Sequence, residues 1–478
     1  MKNILYILLS SLFIVACTDN FEEINTNPNA PVEVEPNLLL RQVIYDYGEQ
    51  MSYEGFVAGN LLGQYMTAID FNLFDRHALK EPQLGGNPWP IYYTNLRDVE
   101  NILAITESKP SLVVYRGPAL ILKAYMAAAL TDAFGDVPYS EALKGKEGIT
   151  QPKFDLQEDI YLAEGGILDN LEEGVALIES YEGNIPLDGD ILFDGDLNKW
   201  VLFANSLRIK YLMRIADVVD VNAQLNALFN QGNYIRSNAD NASFDFTDSR
   251  PNNFRMANLR EGDYNLFVMS ATMQEIIEKY NDPRRAVLFQ TAANTGDYQG
   301  LLNGPDASQT SISVADYSLA GSIFRSETSL LDANFMTGWE TLFFLAEAAA
   351  KGMITGDAQS LYNEAVTQAF EYWHTTLPAD YLVTGNAAYG QNGNEPIQQI
   401  IEQKWLANMI NGYEGWIEWK RTSYPVLKSV SASLNNGLIP TRMPYPASEL
   451  VLNQENFQQA TGNIGNDINL HVWWDVND

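Results

Sequence analysis

Few residues in this chain are spaced for chemistry. Its three histidines, His77, His374 and His471, lie far apart, and none sits in an HExxH helix face where two imidazoles one turn apart would hold zinc. No GxSxG elbow presents a nucleophilic serine, and neither GxxxxGKS/T nor GxGxxG offers backbone amides to a phosphate. With 61 acidic residues, a carboxylate pair at glycosidase spacing could arise by chance, so acid number alone indicates nothing. The densest acidic stretch is Asp188-Gly189-Asp190, followed by Asp194-Gly195-Asp196-Leu197-Asn198. It sets Asp194, Asp196 and Asn198 at the alternate positions of a calcium loop. Lys199 then stands where such a loop turns on glycine, and Asn205 where it closes on a bidentate glutamate. A turn followed by a helix cap is the simpler reading. No catalytic residue, metal ligand or cofactor is expected.

One residue does carry chemistry of another kind. Cys17 is the only cysteine, so no disulfide, CxxC pair or thiolate cage can form within the chain. It follows Lys2 and the apolar run Ile4 to Ala16, which is too short to span a ~30 Å bilayer and reads as a removable export signal. Ile14-Val15-Ala16-Cys17 resembles a bacterial lipobox, against the plainer possibility of a signal peptide with a chance cysteine. Residues 1–16 are therefore expected to be removed, with Cys17 acylated and residues 17–36 forming an Asn-, Pro- and acid-rich tether. Asp19, Glu22 and Glu23 resemble a surface-export signal. The expected location is the outer membrane, with the protein lipid-anchored and facing the cell exterior.

Aromatic residues carry the binding signal. Nine Trp, 25 Tyr and 21 Phe supply flat faces that can stack on sugar rings while polar neighbours satisfy the hydroxyls. Most must be core. The ones least explained by helix packing sit on long polar loops: Phe71, Phe74, Trp89, Tyr264, Tyr298 and Tyr317. Asp70, Asn72 and Arg325 lie near them and could contact hydroxyls. Trp89, in Pro88-Trp89-Pro90 before a helix, could instead cap the core. The net charge of −32 repels phosphates and anionic lipid, which argues against nucleic-acid binding.

These loops need a scaffold, and helical periodicity supplies one. Apolar spacing predicts helices from Leu38 to Met66 with interruptions at Gly55 and Gly59, from Ala119 to Phe134, from Asp159 to Tyr181, and from Asn198 to Ala216 with Asp196 as cap. Glu340 to Trp373 divides at Gly352 and Gly356 into two helices. Leu342, Leu345, Ala346, Ala349, Ala358, Tyr362 and Ala365 fall on the apolar and small positions of a tetratricopeptide repeat, although Phe370 replaces its terminal proline. Glu340 to Lys351 and Asp357 to Trp373 are expected to pair antiparallel. The loop-rich stretch 232–336 interrupts the helices, with one amphipathic helix near Ser270 to Tyr280. Its aromatics argue against disorder. The expected fold is mainly α, with tetratricopeptide-like helix pairs and an interleaved loop-rich ligand-binding part, all within residues 37–478.

Six blocks in order resemble the SusD/RagB family of outer-membrane nutrient-binding lipoproteins. They are Thr131 to Leu143 (TDAFGDVPYSEAL), Asp194 to Arg208 (GD…KW…FANSLR), Asn281 to Arg284 (NDPR), Phe343 to Ala348, Ile400 to Arg421 and Ile439 to Glu449. Two departures stand out: Ser423 occupies a position where the family often has Gly, which could alter that turn, and Trp339 one where a smaller aromatic is common. The resemblance implies a SusC-like TonB-dependent barrel as partner and an oligosaccharide or other nutrient as cargo. Ligand contacts vary within the family, so no binding residue transfers by position. Capture of an oligosaccharide without chemistry is the leading expectation. Peptide capture, a surface glycosidase and a protein–protein adaptor are the alternatives.

Overall fold

The computed structural model describes residues 34–79, 84–308, 311–391, 393–462 and 465–477. Cys17, the export signal and nearly all of the tether lie outside them. The chain begins with helix α1 (Pro36–Glu54), whose proline occupies the first turn, where a missing N–H costs nothing. A π-turn, Gly55–Gly59, follows, and the expected interruption has a clear cause. A Cβ on Gly59 would stand 1.9 Å from the Gly412 carbonyl oxygen, and one on Gly55 would stand 2.3 Å from that of Ile410. Only glycine admits that approach. Leu62 ends the helix, and Met66–Ala68 forms strand β1 rather than helix.

Consecutive helices then pack in pairs. Helix α2 (Trp89–Ser108) lies on α3 (Arg116–Phe134). Gly135 ends α3 at φ +78, and the hairpin strands β2 (Val137–Pro138) and β3 (Phe154–Asp155) follow. The helix expected over 159–181 is two helices, α4 (Gln157–Leu162) and α5 (Ile167–Glu179), because the chain turns at Gly165 with φ +73. Helix α5 packs on α3 and on α6 (Leu197–Ile215). The Asp196 carboxylate caps α6 by accepting from Asn198 N at 2.9 Å, as the sequence suggests. Asp190 accepts from Leu192 N, Phe193 N, Gly195 N and Trp200 Nε1 at 2.8–3.2 Å, so the acidic stretch organises a turn. Among the described residues no three metal-ligating side chains converge.

After α7 (Asn222–Gln231) comes the loop-rich part: β4 (Ala242–Asp245), the single turn α8 (Glu261–Tyr264), β5 (Phe267–Met269), α9 (Ala271–Tyr280), α10 (Arg285–Leu288) and β6 (Asp332–Met336). Ser270 caps α9, accepting from Met273 N at 2.9 Å. The tetratricopeptide-like pair follows as α11 (Gly338–Ala350) and α12 (Ala358–Tyr372), packed along their lengths and capped by Thr337 and Asp357. Ala346 and Ala365 are fully buried. Helix α13 (Pro396–Ala407) packs on α11 and leads into α14 (Glu414–Thr422). Ser423 ends α14 at φ +60, so the turn keeps the left-handed conformation a glycine would give. Trp339, 1% exposed, packs 5.8 Å from Tyr372.

Three short antiparallel ladders tie loops to helices: β1 with β5, β2 with β3, and β4 with β6. Inside, charges from the family motifs meet charges on the same and neighbouring helices. Arg214 lies 3.2 Å from Asp132, 2.8 Å from Glu414 and 2.8 Å from Glu418. Lys210 pairs with Glu340 at 2.9 Å, and Arg421 forks onto Glu347 at 2.6 and 2.7 Å. Burying a charge is costly unless it is paired; here α3, α6, α11, α13 and α14 supply the partners.

Candidate ligand-binding face

The β1–β5 ladder sets Met66 opposite Met269 and Ala68 opposite Phe267, which brings the loop after β1 against the loop-rich part. Asp75 fixes that loop from within. Its carboxylate accepts from Thr67 Oγ1 at 2.6 Å, Ala68 N at 3.1 Å, Asn303 Nδ2 at 2.7 Å and Gly304 N at 2.7 Å. Burial raises its pKa, and these four donors oppose that shift. Asn72 donates to Ala68 O at 3.0 Å and Pro305 O at 2.6 Å. Burial lowers the pKa of His77 to about 4, so its ring is neutral at pH 7, with Nδ1 3.1 Å from Leu438 O.

At the tip of this pinned loop stands Phe71. Its φ is +49, a conformation costly for a bulky residue. Its ring is 64% exposed, and it is the only aromatic side chain classed as exposed among the described residues. Phe71 rims a cavity of about 280 Å³ floored by Val57, Leu61, Phe74, Leu266 and Phe267. Gly86, at φ +87, lets the backbone lie against the Phe74 ring, where a Cβ would approach to 2.5 Å. Asp70, Arg260 and Asp263 give the cavity a charged edge. Arg260 forks onto Asp263 with two bonds of 2.8 Å. The arrangement offers a hydrophobic platform with orienting charges beside it.

The other expected site residues divide. Tyr264, Tyr298 and Arg325 line a second cavity next to α8. Tyr264 is 2% exposed and its hydroxyl donates to Gly321 O at 3.2 Å. Tyr298 is half-buried beneath Arg285, whose Cζ is 5.4 Å from the ring centroid. Tyr317 is half-buried and lines neither cavity. Trp89 must be corrected to core: its ring meets Phe134 at 5.0 Å and Tyr445 at 6.0 Å. Asn72 lines the first cavity, but its amide is committed to holding the loop. The sequence reading missed Arg260 and Asp263. Their signal was an Arg-x-x-Asp spacing one residue before Tyr264, which suits one helical turn.

A helical-repeat scaffold whose loops present one exposed aromatic above a cavity is the architecture of a binding protein. The comparisons with known proteins narrow this class. The SusD-like family model described as "Starch-binding associating with outer membrane" matches residues 28–446. The chain belongs to that SusD-like family. No curated protein matches the sequence. Among solved structures, a chitin-binding protein is 25% identical with a TM-score of 0.78, over 93% of this chain and 100% of its own. A SusD homologue from Bacteroides fragilis is 24% identical with a TM-score of 0.78, over 93% and 100%. A chitin-binding SusD homologue from Flavobacterium johnsoniae is 24% identical with a TM-score of 0.75, over 93% and 98%.

Proposed function

We propose that this protein captures an oligosaccharide at the outer-membrane surface without chemistry and hands it to a SusC-like TonB-dependent barrel. Cys17 is its acylated anchor, and radiolabelled palmitate should enter the wild-type chain but not Cys17→Ala. The observation that carries the reading is Phe71, an exposed ring held in a strained backbone by a loop that Asp75 and Asn72 pin from within. Strain at a solvent-exposed aromatic has no packing return, so its use lies in contact with a ligand. A rigid ring covers the apolar face of a sugar with little entropy loss. The match to starch-binding and chitin-binding relatives supports the same class of cargo.

A carrier that must release its cargo should bind with a Kd of roughly micromolar to millimolar, about −8 to −4 kcal/mol. Calorimetry with chitohexaose, maltohexaose and acidic oligosaccharides tests this. Phe71→Ala should weaken binding of the preferred sugar at least about tenfold, roughly 1.4 kcal/mol or more, with its melting temperature unchanged. Wild-type affinity in that variant would sink the reading.

A further inference from the structure

Next to α8 lies a cavity that stacking on Phe71 does not use. Its volume is about 620 Å³, and Gln290, Thr291, Tyr298, Ser322 and Arg325 provide polar lining. None of its lining residues is acidic, in a chain with 61 acidic and 29 basic residues. Two guanidiniums flank it instead. Arg325 lies over the Tyr264 ring at 4.8 Å and Arg285 over the Tyr298 ring at 5.4 Å, and both rings line the cavity. Among the described residues neither arginine forms an ion pair. Arg325 Nη2 donates to Leu259 O at 3.2 Å, whereas Nη1 is covered and has no acceptor. A buried donor without an acceptor is a cost, and a shift of the Arg325 side chain toward the cavity it lines would let a ligand oxygen remove it.

The geometry points to a carboxylate subsite here: Arg325, with Arg285 beside it, receives the acid group of a uronic-acid residue in the glycan. This rests on the reading that the protein binds a glycan at the Phe71 face, and it names the class of that glycan. Helix α8 joins the two places, since Arg260 and Asp263 edge the first cavity and Tyr264 walls the second. A guanidinium matches a carboxylate with two parallel hydrogen bonds, whereas a neutral sugar hydroxyl uses one. The net negative charge opposes an anionic ligand at long range. Beyond about 8 Å at physiological ionic strength that opposition is largely screened, and the local guanidiniums decide. Of the acids that neighbour lining residues, Glu327 already accepts the Ser322 hydroxyl and Asp263 is forked by Arg260, while Asp297 precedes Tyr298 in the chain.

The test is calorimetric titration of the full mature chain with hexagalacturonate and with its methyl ester, in which each carboxylate is replaced by an uncharged methyl ester. Hexagalacturonate should bind at least tenfold tighter than the ester, and 0.5 M salt should shrink that ratio. Arg325→Gln should remove most of the ratio, and Arg325→Lys should retain part of it. Should Arg325→Gln fail to fold, Arg285→Gln supplies the second measurement and must also lower the ratio. Equal binding of acid and ester, no binding of hexagalacturonate, or a ratio that survives both glutamine variants would overturn the subsite. Phe71→Ala separates the two claims. If it leaves affinity intact while Arg325→Gln abolishes the ratio, the carboxylate subsite stands and the stacking platform falls. If it weakens both ligands and no ratio exists, the reverse holds.

Discussion

Asp245 and Asp332 face each other across the β4–β6 ladder, and like charges directly opposite destabilise a sheet. Burial, and then the Asp245 charge, push the Asp332 pKa up to about 7. An unfolded aspartate titrates near 3.9. Between those values the native chain holds a proton that the unfolded chain has released. The stabilisation is therefore complete below about pH 4 and is lost as pH rises through about 7. Asp332→Asn should flatten this dependence and raise stability at pH 8 by about 1–2 kcal/mol, discounted for the partly solvated partner. Urea unfolding at pH 5 and pH 8 checks it, and parallel behaviour of the two proteins would count against it. The same scale shows what sequence can reveal of a site. The exposure of Phe71 was legible because polar neighbours flank it in sequence. Trp89 was misplaced because its partners, Phe134 and Tyr445, are remote in the chain.

Elements were legible where their causes are local. The cap at Asp196, the helix near Ser270 to Tyr280 and the break between α11 and α12 depend on residues within a few positions, and the structure has them where the pattern puts them. Strand β1 was missed because it exists only through its pairing with β5, two hundred residues later. The interruption at Gly55 and Gly59 is the intermediate case: the glycines were visible, but the Ile410–Gly412 backbone that requires them was not. This gives a sharp expectation. Gly59→Ala puts a methyl 1.9 Å from a carbonyl oxygen, and backbone cannot yield as a side-chain tip can. The cost should reach the upper end of overpacking, roughly 3 kcal/mol. Gly145→Ala, which meets nothing within 4 Å, is the control for glycine replacement. Chemical denaturation that finds the two variants equally stable would refute the close approach.

Across the whole molecule, charges from several of the motifs that mark the family meet in one buried network. Asp132, Glu347, Lys404, Glu418 and Arg421 come from blocks nearly three hundred residues apart, Arg214 lies six residues after another block, and each is 2% exposed or less. Their order in the sequence was recognisable; their meeting was not, because no local pattern encodes a contact of that separation. Glu418 sits at the hub, 2.8 Å from Arg214, 2.5 Å from Lys404 and 2.8 Å from Arg421. Burial alone would raise its pKa, but these three cations hold it well below the usual carboxylate range. Glu347, likewise buried, is held down at about 2, chiefly by Arg421. Such groups stabilise the fold above the unfolded carboxylate pKa of about 4.3, and that contribution is lost as pH falls below it. The sign is opposite to that of Asp332. Glu418→Gln keeps the shape but leaves three buried cations short of one negative charge, so it should destabilise by about 3–5 kcal/mol at pH 7. The penalty should shrink toward pH 3, where the unfolded glutamate is already protonated and the stabilisation from the depressed native pKa is being lost. Because the network joins α6, α13 and α14 rather than the Phe71 loop, the variant that remains folded at low temperature should bind its glycan with wild-type affinity. Thermal unfolding at pH 7 and pH 3, with calorimetry on the folded variant, separates these effects. A Glu418→Gln protein as stable as wild type at pH 7 would show that the buried charges add nothing beyond the hydrophobic packing around them.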